Sequence, residues 1–470
     1  MPKIKRQKVK KPKMKIKEKA EPSVIKISKK TPQVLRGFKD ILPAEQKYWN
    51  SIRKKTNEIA RDYGFERVDF PLLEETALFI RSVGKETDIV EKEMFSFEDR
   101  GGEKVSLRPE ATAQVARAYI SHGMLNLPQP VKLFYIGPMF RYDRPQSGRY
   151  RQFNQCGFEA IGNIHPVLDA QVILMTFNFL KELGLNVNVQ INSIGCPNCR
   201  KEYKVQLINY YKTQRSDLCP DCKIRLTKNP LRLLDCKEEK CRAISEDAPQ
   251  IVDWLCEECK NHFVKVLEFL DELEIPYNLN SRLVRGLDYY TKTVFEIWPG
   301  HGQGGPISPV SAEKPEGNEE EDKKAQNALA GGGRYDNLIE LLGGRPTPAV
   351  GASIGIERTI LKLKEANIEV PEQEKFDIFV AQLGESAKRE SMKLYETLRK
   401  EGIKVAEGFS KDGLKNQLEN ASKLNVKYTL ILGQKELSEG TILLRDMEGG
   451  VQETINYSKA VKDIKKRLGI

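Results

Sequence analysis

The sequence lacks the patterns that define several common classes of protein. None of its 470 residues lies in a run of about 18 uncharged apolar residues, which excludes a transmembrane helix. It has only four histidines and no HExxH motif, so neither a zinc protease nor a histidine-based catalytic triad is indicated. Its only Gly-Lys pair, Gly84 and Lys85, lacks the upstream glycine and the following Ser or Thr of a Walker loop.

The net charge of +11 is concentrated in one segment. Residues 1–30 contain 13 Lys and Arg against 2 Asp and Glu, and the remaining residues contain 64 of each sign. This lysine-rich tail has no aromatic residue, so we expect it to be disordered. No apolar stretch of a secretory signal follows it, which favours an intracellular, cytoplasmic protein. Binding of RNA and a solubilising or targeting role remain equally open for the tail.

Cysteine is scarce except in one region. Eight of the nine cysteines form four pairs, namely Cys196 and Cys199, Cys219 and Cys222, Cys236 and Cys241, and Cys256 and Cys259. In an intracellular chain such clustering favours metal over disulfides. The pairs predict either two closed structural zinc sites of four thiolates each or one site with spare thiols, and the wider spacing of the third pair fits less well. Cys156 stands alone and is expected in the core.

Hydrophobic periodicity divides the chain into segments. Residues 44–63 have the pattern of an amphipathic helix that ends at Gly64. Residues 132–142 and 150–161 are rich in aromatic and β-branched side chains and predict two antiparallel strands joined by a charged loop, residues 143–149. After Pro371, strand and helix patterns alternate, which is typical of a separate α/β domain with parallel strands.

Arginines are the residues of this sequence that best indicate a catalytic site. Four arginines lie on or beside the predicted hairpin and two lie in distant segments; they are Arg141, Arg144, Arg149, Arg151, Arg285 and Arg358. A guanidinium group is always charged and binds two oxygens at once, so these side chains suit phosphoryl groups. The alternative is a solvated arginine face.

Six short segments resemble motifs of one enzyme family. Leu107–Thr112 (LRPEAT), Gly137–Pro145 (GPMFRYDRP) and Arg149–Gln155 (RYRQFNQ) are similar to motif 2 and its approach in class II aminoacyl-tRNA synthetases. Arg285–Tyr290 (RGLDYY) and Gly331–Asp336 (GGGRYD) resemble the two segments peculiar to histidine-tRNA ligases, and Gly355–Arg358 (GIER) resembles motif 3. The helix, strand and Pro71 resemble motif 1 more loosely. The resemblance extends from about Leu35 to the C-terminus.

This resemblance implies a fold and a division into domains. The expected fold is an α+β catalytic core with an antiparallel six-stranded sheet, a helical insertion and a C-terminal α/β anticodon-binding domain. The expected domains are the tail at 1–30, the first part of the core at 31–193, the Cys-rich helical insertion at 194–275, the second part of the core at 276–370, and the anticodon-binding domain at 376–470. A homodimer is expected from motif 1.

The same resemblance implies a reaction and its residues. The enzyme would activate L-histidine with ATP and Mg²⁺ to histidyl-adenylate and transfer histidine to tRNA(His). Arg141 and Arg285 are carried over as catalytic residues. The positions carried over for ATP are Arg141, Asp143, Arg149, Phe153, Arg285 and Arg358. Those carried over for histidine are Glu110, Thr112, Gln155, Glu159, Tyr289 and Tyr290. Ala111 departs from the glycine of many relatives.

Two other interpretations compete with this one. The first is a catalytically inactive paralogue that regulates histidine biosynthesis, although such relatives usually lose parts of the motifs and the C-terminal domain. The second is a zinc-ribbon nucleic-acid-binding protein, which explains the tail and the cysteines but neither RGLDYY nor the motif 3 segment. Cleavage of ATP to AMP and pyrophosphate would separate the enzyme from both.

Overall fold

The computed structural model describes residues 31–300, 328–371 and 375–470. The predicted disordered tail, residues 1–30, lies outside the described residues. In chain order the strands are β1 (Glu66–Arg67), β2 (Leu73–Glu75), β3 (Ser96–Glu98), β4 (Lys104–Leu107), β5 (Val131–Phe140), β6 (Gln152–Ile161), β7 (Val187–Ser193), β8 (Tyr277–Leu279), β9 (Thr291–Pro299), β10 (Ala330–Arg334), β11 (Ala349–Gly355), β12 (Ile378–Gln382), β13 (Val405–Glu407), β14 (Tyr428–Leu432), β15 (Thr441–Asp446) and β16 (Gln452–Asn456).

The helices alternate with these strands and also fill the segment between β7 and β8. They are α1 (Gln46–Asp62), α2 (Thr76–Val83), α3 (Thr112–Ser121), α4 (Pro166–Glu182), α5 (Pro197–Thr213), α6 (Pro220–Lys228), α7 (Glu239–Glu246), α8 (Glu257–Glu272), α9 (Leu338–Leu341), α10 (Ile356–Glu365), α11 (Glu385–Lys400), α12 (Leu414–Lys423), α13 (Gln434–Glu439) and α14 (Ala460–Leu468). Among the described ranges, no helix combines the length and the apolar character needed to cross a bilayer.

The large sheet has eight strands in the order β1-β5-β6-β11-β10-β9-β7-β8. Its six central strands pair antiparallel, as the predicted six-stranded sheet requires. The predicted strand count was nevertheless too low, because β1 and β8 add one short parallel strand at each edge. Strands of two and three residues are too short to show a periodic pattern in the sequence.

The predicted hairpin is present as β5 and β6, which pair antiparallel over ten residues. Gly137 lies opposite Gln155, and Leu133 lies opposite Glu159. Because side chains alternate between the faces of a sheet, Gln155 and Glu159 share one face while Cys156 and Phe158 lie on the other. Cys156 is fully buried in that second face, as expected for a core residue.

Each face of the large sheet has its own core. On the face that holds Phe158, called the first face below, α1, α4, α8 and α10 pack against strand residues such as Phe158 and Phe295. The predicted helix at residues 44–63 is confirmed as α1, which buries Trp49 and Ile52 on one side. On the other, second face α3 and the cysteine-bearing α5 and α6 pack around Tyr135. The second face therefore carries the polar residues of β5 and β6 beneath the helical segment.

The C-terminal domain has a sheet of its own, in the order β13-β12-β14-β15-β16. Strands β13, β12 and β14 are parallel, as the alternating pattern predicts. The prediction of parallel strands was incomplete, because β15 and β16 are antiparallel. Helices on the two faces bury separate clusters, one around Leu430 and Ile442 and one around Phe379 and Ile431.

Candidate active site

Glycines leave space for a site of charged side chains on the second face of the large sheet. A Cβ atom at Gly331 would lie 2.6 Å from Nη1 of Arg285, and one at Gly137 would lie 2.6 Å from Nη2 of Arg108. Real Cβ atoms do not approach other atoms so closely, so larger residues would displace these arginines. A Cβ at Gly351 would overlap the carboxylate of Glu159. Glycines on three strands, one of them in the GGGRYD segment, thus leave room for buried charged side chains.

Two carboxyl groups and several hydroxyl groups line one end of this site. Glu110 accepts hydrogen bonds from the backbone N–H groups of Thr112 (2.7 Å) and Ala113 (3.0 Å) at the start of α3. Glu159 accepts one from Thr112 Oγ1 (2.8 Å) and one from the hydroxyl of Tyr335 (2.6 Å). Thr112 therefore links the two carboxyl groups, and both are buried.

Tyrosine rings complete this end of the site. The hydroxyl of Tyr289 donates to Glu110 Oε2 at 3.4 Å, and the ring centroids of Tyr289 and Tyr290 are 4.7 Å apart. Tyr135 donates to Glu159 Oε1 at 3.4 Å. Gln155 lies at the edge of the group and donates from Nε2 to Ser353 Oγ at 3.4 Å. Glu110, Thr112, Glu159 and the two tyrosines of RGLDYY thus meet in one pocket, called the carboxyl pocket below.

Burial raises the pKa of both carboxyl groups in the carboxyl pocket. For Glu159 the removal from water dominates, and the charge of Glu110 adds to it, so that the pKa reaches about 8 despite the hydrogen bonds from Tyr335 and Thr112. Burial also raises the pKa of Glu110, against the hydrogen bonds from the backbone of α3. Glu159 is therefore largely protonated at neutral pH, and a ligand that supplies a hydrogen-bond donor or a positive charge would favour its ionised form.

Arginines occupy the other end of the site. Arg141 Nε donates to the carbonyl oxygen of Pro109 at 2.9 Å, and its guanidinium lies 5.3 Å from the ring centroid of Phe153. Arg358 Nη1 donates to the carbonyl oxygen of Ala328 at 3.0 Å. Burial and the charges of Arg149, Arg141 and Arg285 lower the pKa of Arg358 to about 10. The mutual repulsion shows that these cations converge, which favours a polyanionic ligand.

Arg285 and Arg149 are each paired with an acidic side chain. Arg285 Nη1 forms an ion pair with Glu296 on β9, and its buried Nε has no hydrogen-bond partner among the described residues. Arg149 forms an ion pair with Asp143 across the loop between β5 and β6. Arg285 therefore keeps one donor unsatisfied, which is costly unless a ligand accepts from it.

Two of the six arginines noted in the sequence lie apart from this group. Arg151 stacks on the ring of Tyr142 at 3.7 Å and donates from Nε to the carbonyl oxygen of Asp143 at 3.2 Å. Arg144 is exposed in the loop. The solvated-face interpretation thus describes Arg144, whereas Arg141, Arg149, Arg285 and Arg358 form the cation cluster.

Sequence reasoning missed three residues of the site. Tyr335 and Tyr135 contact Glu159, and Glu296 pairs with Arg285. Tyr335 stands in the quoted GGGRYD segment, so the motif contained the signal although no role was assigned to it. Glu296 is a charge within the apolar run Val294–Trp298 of β9, which is a pattern that marks a functional group.

The eight clustered cysteines form two separate groups. The first thiolate cluster is Cys196, Cys199, Cys256 and Cys259, and the second thiolate cluster is Cys219, Cys222, Cys236 and Cys241. Within each cluster the four Sγ atoms lie within 4.8 Å of one another. This arrangement corresponds to the two-site alternative, and the wider Cys236–Cys241 spacing is accommodated because α7 begins between them. Four thiolates at this spacing match the donor set of a closed tetrahedral zinc site.

Comparisons with known proteins agree with these motifs. Residues 37–198 match a family model described as histidyl-tRNA synthetase, and residues 377–467 match one described as anticodon binding domain. The chain is 47% identical over 434 residues to a histidine–tRNA ligase of Dehalococcoides mccartyi, with 92% of this chain and 99% of that protein covered. A histidine–tRNA ligase of Natranaerobius thermophilus is 45% identical, with 91% and 98% covered.

Solved structures extend the similarity to the fold. The apo histidyl-tRNA synthetase of S. aureus has a TM-score of 0.74 and 36% identity, with 93% of this chain and 100% of that chain covered. A Bacillus halodurans protein titled as an ATP phosphoribosyltransferase regulatory subunit/histidyl-tRNA synthetase has a TM-score of 0.57 at 20% identity, covering 85% of this chain and 98% of that chain. At that identity the likeness concerns the fold alone.

The raised pKa of Glu159 predicts a pH dependence of stability. Its carboxyl group prefers the protonated form in the folded state, with a pKa of about 8. Protonation of Glu159 therefore stabilises the folded state. This stabilisation is fully present below the pKa of the unfolded state, near 4.5, and it is lost as the pH rises through about 8, where the free energy of unfolding falls by up to about 1.4 kcal/mol per pH unit. Glu159→Gln should flatten the fall of the thermal midpoint between about pH 5.5 and 8.5. The exposed Glu340→Gln should retain the wild-type slope, and equal slopes in wild type and Glu159→Gln would contradict the assignment.

Proposed function

Because this chain belongs to the histidyl-tRNA synthetase family, we infer that it is a class II aminoacyl-tRNA ligase, which uses ATP to attach histidine to tRNA(His). The observation that carries this function is the meeting of the carboxyl pocket and the cation cluster on one face of the sheet. An amino acid has an amino group and a carboxylate, and ATP has a polyphosphate, so the two ends match the two substrates. We place the enzyme in the cytoplasm.

The activation step forms histidyl-adenylate and releases diphosphate. It brings the carboxylate of histidine against the α-phosphate of ATP, and two anions must be neutralised as they approach. Arg141 is held by the carbonyl of Pro109 beside the carboxyl pocket, where it can bind both the carboxylate and the α-phosphate. Arg285, whose Nε lacks a partner among the described residues, donates to the oxygens of the α-phosphate in the transition state. AMP leaves when histidine passes to the tRNA.

Recognition of histidine uses the carboxyl pocket. Choice of an imidazole requires groups that complement both ring nitrogens, because an unpaired buried donor or acceptor costs about 1–3 kcal/mol. Glu159 and Tyr290 meet the imidazole, since both are buried and Glu159 is already held by Thr112 and Tyr335. Glu110 binds the amino group, and Gln155 contacts the substrate from the edge of the pocket.

ATP binds along the cation cluster. The ring of Phe153 stacks on adenine, and the guanidinium of Arg141 lies 5.3 Å from the centroid of that ring. Arg358 binds the γ-phosphate side, and the Asp143–Arg149 ion pair closes the loop over the nucleotide. Enzymes of this family use Mg²⁺ with ATP. Because the acidic side chain beside Arg285, Glu296, is paired with that arginine, Mg²⁺ would be held by the triphosphate itself and would neutralise part of its charge.

Removal of Arg285 tests the activation step. A charge directed at the developing phosphorane acts mainly in the transition state, so Arg285→Ala should lower kcat of histidine-dependent pyrophosphate exchange by about 100-fold or more with little change in KM for histidine. Arg282→Ala is the matched control, because Arg282 lies in the same segment but pairs with Glu246 at 3.4 Å. A loss confined to KM would contradict the assigned role. Exchange that depends on another amino acid, or on none, would contradict the function and favour a regulatory paralogue.

The C-terminal domain binds the anticodon arm, and the loop at residues 143–149 meets the acceptor end. The domain has its own sheet and its own cores, and it matches an anticodon-binding family over residues 377–467. One loop beside the adenylate cannot also reach a distant part of the same RNA, so a second domain supplies that contact.

Truncation before Phe376 tests this division of labour. The shortened protein should lose aminoacylation far more than pyrophosphate exchange, since tRNA is needed only for the transfer step. Circular dichroism and gel filtration establish whether the truncated protein remains folded in its native oligomeric state. Equal loss of both activities in a folded truncation would count against the assignment.

We propose that the enzyme is a homodimer through the surface around the small sheet β2-β4-β3. Leu72, Leu73 and Phe97, on or beside this sheet, are large apolar side chains with 43–50% of their surface exposed. The two leucines stand immediately after Pro71, at the position of motif 1, where class II enzymes pair. A patch of apolar side chains that is exposed in one protomer commonly marks a surface that becomes buried when two protomers associate.

We propose further that each thiolate cluster holds one structural zinc ion. Three of the four pairs begin a helix, since Cys196, Cys219 and Cys256 are the N-cap residues of α5, α6 and α8. Zinc would be held by four thiolates at each cluster and would supply cross-linking of these helices, with no part in the chemistry of the reaction.

Metal analysis tests the two zinc sites. Protein purified under reducing conditions should contain two zinc ions per chain, and Cys256→Ser and Cys236→Ser should each retain one. Both variants should melt at lower temperature, because binding energy in such a site is folding energy. Cys156→Ala, which alters the one cysteine outside the clusters, should retain both ions. Absence of zinc from the wild-type protein would refute the proposal.

A further inference from the structure

The first thiolate cluster lies directly beside the segment that carries the two pocket tyrosines. The residue after Cys199 is Arg200, whose Nη1 donates to the carbonyl oxygen of Tyr290 at 3.2 Å. Arg200 is half-buried; the carboxylate of Asp288 attracts its charge most strongly, and the sulfurs of Cys196, Cys199 and Cys259 attract it as well. Arg200 therefore faces the thiolates on one side and the tyrosine segment on the other.

A second contact joins the same cluster to the residues that follow the tyrosines. Lys292 donates from its backbone N–H to the carbonyl oxygen of Gly195 at 3.0 Å, and its Nζ pairs with Glu258, the residue before Cys259, at 2.9 Å. Lys292 has a φ of 48°, a conformation that costs energy for a residue other than glycine. Its contacts beside the cluster hold Lys292 in this conformation. They thereby also fix the path of the backbone immediately after Tyr290.

A third contact reaches the carboxyl pocket through buried charges. His262, one turn beyond Cys259 on α8, lies 3.2 Å from Oδ1 of Asp169, which is itself paired with Arg334. The next residue, Tyr335, donates to Glu159 at 2.6 Å. Helix α8, which begins at the first thiolate cluster, thus supports Arg334 through Asp169. Arg334 directly precedes Tyr335, the donor to Glu159.

Two cations lie between the first thiolate cluster and the tyrosine segment. Four thiolates and one Zn²⁺ carry a net negative charge, and a buried net charge is costly unless opposite charges lie near it. Arg200 and Lys292 lie near the sulfurs and also contact the segment around Tyr290, but Asp288 attracts Arg200 more strongly than the sulfurs do, and Lys292 pairs with Glu258 and Asp336. The two cations therefore connect the cluster to the tyrosine segment.

We propose that Arg200 is a positioning residue for histidine, and that the zinc-filled first thiolate cluster holds it in place against Tyr290. The proposal rests on the proposed histidine pocket and zinc sites. Arg200 contacts neither reacting group; it acts through the backbone of Tyr290, and so through the two tyrosine rings that line the carboxyl pocket. The second thiolate cluster is linked less directly to Tyr290. Its helix α6 contacts Asp88 through Arg225 and Glu91 through Lys228, and Asn229 at the end of α6 donates to Asp288, two residues before Tyr290, at 3.0 Å.

Arg200→Met tests the positioning role in the full-length, zinc-loaded enzyme. Histidine-dependent pyrophosphate exchange should show a KM for histidine raised by about tenfold, with KM for ATP and zinc content unchanged. Arg200→Lys should recover part of the loss, because lysine keeps the charge and a donor. Lys201→Met is the matched control, since it removes a neighbouring charge that is exposed on the same helix, and it should behave as wild type.

A merely structural role for Arg200 would lower the melting temperature and kcat without separating the two KM values. An unchanged KM for histidine in a zinc-loaded Arg200→Met protein overturns the proposal, whereas the ligase function stands. Absence of histidine-dependent exchange in the wild type instead overturns the proposed function itself.

Cysteine variants test the dependence on the first cluster. Cys256→Ser should lose one zinc ion and raise KM for histidine as Arg200→Met does, and Cys236→Ser should lose one zinc ion with KM for histidine within about twofold of wild type. An equal rise in both variants contradicts the assignment to the first cluster. If Cys256→Ser does not fold, a titration of the wild-type enzyme with a chelator replaces it: KM for histidine must rise in step with release of the first-cluster zinc, and a constant KM after that release overturns the link.

Discussion

The register of the central strands is the constraint on which the site depends. Gln155 faces Gly137, Glu159 faces both Leu133 and Gly351, and Gly331 faces Ser353, so that all these positions fall on one face of the sheet. Because side chains alternate with a period of two, a slip of one residue would turn Glu159 into the opposite core and bring Phe158 into the pocket. The buried aromatic side chains of the first face therefore fix the register that places Glu159 on the second face.

The glycines of the central strands and the buried charged groups beside them depend on that register in turn. Gly351 leaves the space that the Glu159 carboxylate fills, and Gly331 leaves the space for the Arg285 guanidinium. Each of these charged groups is removed from water, and the same removal raises the pKa of Glu159 and lowers that of Arg358. The free protein thus holds groups whose charged forms are disfavoured, and ligands of opposite charge relieve that cost when they bind.

The sequence was informative where function depends on short contiguous segments. LRPEAT, RGLDYY and GGGRYD can be recognised from their residues alone, because each segment carries several of its functional residues within six positions. The hairpin and α1 can be predicted from periodicity. The edge strands β1 and β8 cannot, since two or three residues carry no period, and the roles of Tyr135 and Glu296 cannot, since each depends on a partner distant in sequence. The grouping of eight cysteines into two clusters is likewise beyond the sequence, because spacing defines pairs but not which pairs meet.

The thiolate clusters lie in a part of the chain that includes short helices with few buried residues. Between β7 and β8 the helices α6 and α7 are nine and eight residues long, and they bury Cys222, Leu226, Cys241 and Ser245. Such short helices bury too little apolar area to offset the conformational entropy that folding removes, and small domains of this kind are commonly cross-linked. The first thiolate cluster brings together the starts of α5 and α8, which pack on opposite faces of the large sheet. Beside this cluster, Lys292 of β9 binds the backbone of Gly195 and the side chain of Glu258, and β9 follows directly after Tyr289 and Tyr290. The zinc ion proposed for this cluster would therefore stabilise the insertion and the start of β9 together.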